Sequence, residues 1–489
     1  MEKYVLFFSH SPQIQWFSLI ANILEEEFHI SSKLFVIGEA DELEGRQTKR
    51  FAEVINLVAC EDNEMSINEA KQILVKIEER VGHQFVQRDM AMDRHFHEAR
   101  WDGDRKTIFG AKVAKNIEKI ISQNGEPMFA MGEENTFPYR LARRMVTCDY
   151  CIIHMVGHIY DRFFFEYSMY QQWVKCIEKY EEFESQGVPS KLESEANSLL
   201  SQFVKQRQRP IDMELFLERG GNALASRITS GAFFNSLKQA LRLVRSKADY
   251  WNPAFNIGRY SFLPSKVRRL FGEYLKVKNY NKLALSALPS NQRYAVYFAH
   301  VEPEQTIDGL AFEYRDQIAT AKTIAASLPA DMLLLFKEHP GMVGQRPSEY
   351  YNELAEAHNI LLLHDSIDSY EVINNSELIF TLSGSVSLEA MFQGKPAIVL
   401  GEIYFTRFKG IYKVENIREL PETTREILYD KDAGATRKDA IKALAAMIEG
   451  SYPGKLSDRY TMEEMIAESN ISKLKNALKA EFSFKSNED

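Results

Sequence analysis

With 489 residues the chain is too long for one hydrophobic core, and two or three domains are expected. The composition is ordinary globular, 45% hydrophobic and 26% charged, and a net charge of −9 argues against a generally basic nucleic-acid-binding surface. Four cysteines are too few for a disulfide scaffold at this length. No apolar run approaches the roughly 20 residues of a membrane span, and the N-terminus enters a strand without a signal-peptide layout. A cytoplasmic protein is therefore expected, with work at a membrane surface left open.

Val5-Leu-Phe-Phe8 predicts a first strand, followed by a turn and an amphipathic helix through about residue 28; Lys33 to Ile37 predicts a second strand. This βαβ opening is Rossmann-like but lacks G-x-G-x-x-G, which disfavours a dinucleotide cofactor. Residues 64–125 read as mostly helical. His95 and His97 sit two positions apart, which on a helix turns them about 200° from one another, so they cannot chelate together. Asp102-Gly-Asp104 has a metal-binding D-x-D spacing, yet beside Arg105 it reads as a solvated turn, and no metal is expected. The next strand, Pro127 to Met131, ends in Gly132-Glu133-Glu134-Asn135. A helix carrying Arg140, Arg143 and Arg144 follows, and the strand Ile152 to Val156 then ends in Gly157-His158-Ile-Tyr160-Asp161-Arg162. The carboxylates at these ends can act as a base and the arginines as anion clamps, with helix caps and ion pairs as the competing reading. Cys148 and Cys151 read as buried free thiols. Residues 167–290 read as a mainly helical insertion and linker.

Tyr294 to Ala299 begins a second Rossmann-like half and runs into His300-Val-Glu302-Pro-Glu304-Gln305-Thr306. Met332 to Phe336 runs into Lys337-Glu338-His339-Pro340, Ile360 to Leu363 into His364-Asp365, Glu377 to Leu382 into Ser383-Gly384-Ser385-Val-Ser387-Leu-Glu389, and Ala397 to Leu400 into Gly401-Glu402. Short apolar runs alternating with helical stretches are buried parallel strands, and ligands sit beyond their carboxyl ends. His339, the hydroxyls of 383–387 and Glu402 should then line one crevice. The Ser-Gly-Ser turn opens a helix, whose N–H groups suit a phosphate, although plain N-capping uses the same residues. Glu389 suits a ribose diol, and His339, fixed by Pro340, can stabilise a departing phosphate. The fold expected is α/β, with two Rossmann-like domains facing across a cleft in the GT-B manner. Residues 1–166 form the N-terminal acceptor domain, 167–290 the helical insertion, 291–450 the nucleotide-binding domain, and 451–489 a C-terminal helix and frayed tail.

Tyr297 to Thr306, Phe336 to Pro340 and Leu382 to Ala390 resemble the bacterial capsule polysaccharide biosynthesis proteins, a group that includes transferases of Kdo from CMP-Kdo. The His-Pro and Ser-rich motifs are also similar to those of bacterial CMP-sialic acid transferases. At His154 to Arg162 the chain lacks the glutamate and proline of the family's acidic-Gly-aromatic-x-Arg-Pro run. The resemblance implies a metal-independent glycosyltransferase with a CMP-activated acidic sugar as donor, a glycan or glycolipid as acceptor, and no further cofactor. His339, Lys337, Pro340, Ser383, Gly384, Ser385, Ser387, Glu389, Glu304 and Gln305 would hold the nucleotide. Glu133, Glu134 or Asp161 would act on the acceptor hydroxyl, and Arg140 or Arg162 would bind the donor carboxylate. Peripheral association with the inner membrane or a polysaccharide assembly complex fits that role. The alternatives are a CDP-glycerol-type glycerophosphotransferase, a UDP-GlcNAc 2-epimerase-like enzyme, and a non-catalytic scaffold.

Overall fold

Two twisted sheets form two lobes. The computed structural model describes residues 4–10, 13–59, 64–93, 96, 102–132, 134–168, 172–207, 262–302, 304–457 and 459–482. In the N-terminal lobe the strands β1 (Tyr4–Phe8), β2 (Ser31–Val36), β3 (Glu53–Asn56), β4 (Phe129–Gly132), β5 (Asp149–Met155) and β6 (Arg162–Glu166) join β13 (Tyr452–Pro453) in the order β13-β6-β5-β4-β1-β2-β3. The first five pair in parallel, while β6 turns back on β5 and β13 adds antiparallel to β6. All five residues of β1 are buried, as expected of a strand covered on both faces.

The second lobe holds β7 (Arg293–Phe298), β8 (Met332–Lys337), β9 (Ile360–Leu363), β10 (Leu378–Thr381), β11 (Ala397–Val399) and β12 (Ile411–Lys413), in the order β12-β11-β10-β7-β8-β9 and wholly parallel. Counted from β7 this is the doubly wound order 3-2-1-4-5-6, so the chain reverses its direction of travel between β7 and β10. The expected pair of Rossmann-like halves is what the structure contains.

The boundaries carry more detail than the sequence reading. The last segment is built into the N-terminal lobe: β13 extends its sheet, and the helix Glu468–Phe482 buries Leu474 and Leu478 in the same cluster as Phe17, Ile20 and Leu24 of the helix Ile14–Phe28. The expected tail, 483–489, lies outside the described residues. The helices Val174–Gln186 and Ser190–Gln206 share a core with the helix Arg437–Glu449, and that core also takes Phe164 and Trp173 from one side and Leu388, Phe392 and Phe405 from the other. Trp173 stacks on Phe164 at 3.9 Å, and its indole N–H donates to Gly450 O at 3.0 Å. Among the described residues no helix is long and apolar enough to cross a membrane.

Replacing Leu474 with Ala should lower stability by about 2–4 kcal/mol, because a fully buried leucine leaves a cavity that packed neighbours only partly fill. Urea unfolding measures this, and an unchanged midpoint would mean that the last helix does not hold the N-terminal lobe together.

Candidate functional site

The carboxyl ends of β10, β7 and β8 are neighbours, and the switch point lies between the first two. Two strand spacings separate the ends of β8 and β10, roughly 10 Å. Three loops therefore meet there: 299–306 after β7, 338–343 after β8, and 382–387 after β10.

A buried ion pair fixes two of these loops. The Glu338 carboxylate accepts from Arg346 Nε at 2.9 Å and Nη2 at 3.0 Å, and from the Tyr351 hydroxyl at 2.9 Å. Arg346 also donates to His300 O at 2.7 Å and pairs with Glu302 at 2.8 Å. Gln317 completes the frame: its Oε1 accepts from His300 N at 2.8 Å, and its amide donates to His300 O and to Glu302. Burial alone would lower the Arg346 pKa, but the Glu338 carboxylate more than reverses this and the guanidinium stays charged.

His300 links β7 to β10. Its Nε2 accepts from Leu382 N at 3.2 Å and meets Thr381 Oγ1 at 2.8 Å, so the ring proton belongs on Nδ1. Burial, with His339 and Arg346 adding to it, pushes its pKa down to about 3. Thr381 Oγ1 in turn accepts from Gly384 N at 3.2 Å. A Cβ at position 384 would lie 2.6 Å from that oxygen and 3.2 Å from the His300 ring, so glycine is required for this approach.

His339 stands half-buried where β8 ends. Its Nδ1 accepts from Gly341 N at 3.0 Å, so a neutral ring carries its proton on Nε2. Burial lowers its pKa, Arg346 lowers it further, and Glu338 opposes them. A Cβ on Gly341 would sit 2.9 Å from Nδ1, so any larger residue there displaces the ring. The geometry thus supplies two histidines kept neutral at pH 7 and a turn closed by Gly384 N on Thr381 Oγ1, Ser387 N on Gly384 O and Leu388 N on Ser385 O.

Several expectations are corrected. Lys337 does not face the crevice: it is buried, and its ammonium donates to His364 O at 2.9 Å and Asp365 O at 2.8 Å, holding the turn after β9. The Ser383 hydroxyl donates to Thr306 O at 2.6 Å and the Ser387 hydroxyl to Gly384 O at 2.9 Å, so these two shape the turn. Gly384, Ser385 and Pro340 remain partly exposed. Glu402 leans away to Lys413 on β12. Glu304 is exposed and accepts from the Thr306 hydroxyl at 2.9 Å, while the Gln305 side chain lies outside the described residues. Glu389 reaches the other lobe, with Oε1 3.7 Å from His158 Nε2, so the loop after β5 and the helix after the Ser-rich turn touch across the lobe boundary. Arg88 makes a second such contact, donating to Gly309 O at 3.3 Å.

The N-terminal arginines are corrected too. Arg140 is buried and donates to Glu134 O and Asp89 O, both at 2.7 Å, and burial lowers its pKa. Arg162 closes the end of the Arg437–Glu449 helix through Ile448 O and through Ser451 O at 2.8 Å. Neither guanidinium is placed to clamp a donor carboxylate. Of the carboxylates, Glu134 is buried against Arg143, and Asp161 accepts from the Tyr460 hydroxyl at 2.5 Å. Glu133 lies outside the described residues, as do His95 and His97. Asp102 caps the helix Gly103–Asn124 by accepting from Arg105 N at 2.8 Å. Cys148, Cys151 and Cys176 are free, and among the described residues no cluster of three metal-ligating side chains forms.

Sequence reasoning missed His300, Thr381, Arg346 and Gln317. His300 was findable, since it follows its apolar strand just as His339 nearly follows its own. Arg346 carried no signal, because it sits in a loop with no periodicity.

Comparison with known families adds one decisive observation: residues 204–431 match the family model described as capsule polysaccharide biosynthesis protein. That match spans 228 of the 489 residues, so the likeness holds for this part of the chain. No curated protein matches it. Among solved structures the chain is similar to the KpsC beta Kdo 2,7 transferase of Thermosulfurimonas dismutans, with 12% identity, 74% of this chain and 89% of that one covered, and a TM-score of 0.35. The KpsC beta Kdo 2,4 transferase of the same organism gives 10% identity, 65% and 79% coverage, and a TM-score of 0.36. The UDP-GlcNAc 2-epimerase of Neisseria meningitidis gives 12%, 92%, 98% and 0.26.

Removing one partner of the buried pair, as in Glu338→Gln, should cost about 3–5 kcal/mol, while replacing both Glu338 and Arg346 by apolar residues should cost less. Denaturant unfolding of the single and double variants checks this. His300 is neutral in the fold down to about pH 3 but protonates near 6.5 when unfolded, so its contribution is complete above pH 6.5. It is lost as pH falls towards 3, at up to about 1.4 kcal/mol per pH unit. A His300→Gln variant should show a shallower fall in melting temperature across that window.

Proposed function

We propose that this protein is a glycosyltransferase of surface polysaccharide biosynthesis that takes an acidic sugar from a CMP-sugar to a glycan or glycolipid acceptor, a reading supported by the match of residues 204–431 to the capsule polysaccharide biosynthesis model. The observation that carries the reading is His339, kept neutral with its proton on Nε2, at a strand end flanking the switch point and near the turn around Gly384 and Ser385. A nucleoside monophosphate leaving group carries a single phosphate. The imidazole N–H and the partly exposed backbone of Gly384 and Ser385 suit its oxygens without a divalent cation.

In the transfer, the bond between the anomeric carbon and the phosphate oxygen breaks with its electrons going to CMP, where these donors stabilise the new charge. The acceptor oxygen forms the new bond, and its proton passes to a carboxylate. With Glu134 held by Arg143 and Asp161 by Tyr460, Glu133 is the proposed base. The protein would work in the cytoplasm, at the inner face of the membrane where a lipid-linked acceptor is available.

Titration calorimetry with CMP, UMP and UDP tests the donor. CMP should bind at least tenfold more tightly than UDP, about 1.4 kcal/mol. A preference for UDP overturns the reading in favour of an epimerase-like or UDP-sugar enzyme. His339→Gln should weaken CMP at least tenfold and abolish CMP release at an unchanged melting temperature; a collapse of folding instead would make the histidine structural. Turnover should also survive EDTA.

A further inference from the structure

The N-terminal sheet has its own switch point, between β1 and β4, and a cavity of about 230 Å3 opens beside it. Its walls come from the helix Ile14–Phe28, the end of β4, the middle of β5 and the returning C-terminal segment. One side is apolar, with the indole of Trp16 beside Ile153 and Leu456; Gln13, Asn135 and His154 supply polar groups. Two of those groups are unspent. Gln13 precedes the first turn of its helix yet makes no cap, and its Oε1 is buried without a hydrogen-bond partner. His154 Nε2 is likewise buried without one. Buried polar atoms normally have partners, so two along one small cavity call for a ligand that supplies them.

We propose that this cavity binds a neutral sugar ring, the terminal residue of the acceptor glycan. The placement rests on the transfer reading above, while the chemistry rests on the cavity alone. An aromatic and aliphatic wall suits the C–H face of a pyranose, and hydroxyls, which both donate and accept, match an amide oxygen and an imidazole nitrogen alike. The charge balance selects a neutral ring. Glu134, which also lines the cavity, is compensated by Arg143, and burial holds the His154 pKa near 4, so its ring is uncharged at pH 7. An acidic sugar would find a carboxylate and no unspent cation among the described lining residues. The cavity lies at the same edge of its sheet as the β5 loop that carries His158, which contacts the other lobe, so a ring held there is presented to the cleft.

Saturation-transfer NMR on the full chain tests this with methyl glycosides of glucose, galactose and N-acetylglucosamine, against those of Kdo and N-acetylneuraminic acid. At least one neutral glycoside should bind, and both acidic ones should bind at least tenfold more weakly. Gln13→Leu and His154→Leu should each weaken the neutral glycoside at least tenfold, and Trp16→Phe several-fold, with CMP affinity unchanged as the sign that each variant is folded. CMP binding with no binding of any neutral glycoside overturns the proposal and leaves the donor reading standing, as does binding indifferent to Gln13 and His154. Gln13-dependent binding of a neutral glycoside without CMP binding supports the cavity and removes the donor reading.

Discussion

The second lobe depends on one buried ion pair. Arg346 and Glu338 are both removed from water, and such a pair contributes little net stability because desolvation consumes most of the Coulombic gain. Its value here is positional. One guanidinium reaches the carboxylate before His339, the backbone of His300 and the side chain of Glu302, so two loops from adjacent strands share one anchor. Apolar residues of similar volume could fill the space, but could not fix the direction of His339.

The same economy recurs where groups that look reactive in the sequence are used as braces. Lys337, Arg140 and Arg162 each hand their donors to backbone carbonyls, closing a turn, a loop and a helix end respectively. A buried charged donor with several N–H groups can satisfy more than one backbone carbonyl at once. What remains for chemistry is the partly exposed set: His339, and the Gly384–Ser385 turn.

Much of the architecture was legible because buried parallel strands leave a direct trace. Leu333-Leu-Leu-Phe336 and Leu378-Ile-Phe-Thr381 are apolar on both faces, and the residues that follow them must lie at one edge of the sheet. That placed His339 and the Ser-rich turn at one edge of the sheet, on strands that the fold sets either side of β7. The sequence could not show which of these side chains look outward. Ser383 and Ser387 have the composition of an anion site, but their hydroxyls are spent on Thr306 and Gly384, and only the folded turn shows it. Nor could it reveal that Glu389 and His158, more than two hundred positions apart, meet at the lobe boundary.

The return of the last segment to the first lobe has a consequence for biogenesis. The strands from β7 to β12 are contiguous in the chain, so the second lobe can close its sheet while the ribosome is still extending the polypeptide. The first lobe, although translated earlier, waits for β13 and the helix after it to complete its sheet edge and cover the helix Ile14–Phe28. The order of synthesis and the order of completion are therefore reversed, and the N-terminal lobe keeps an open sheet edge until the last helix has been made.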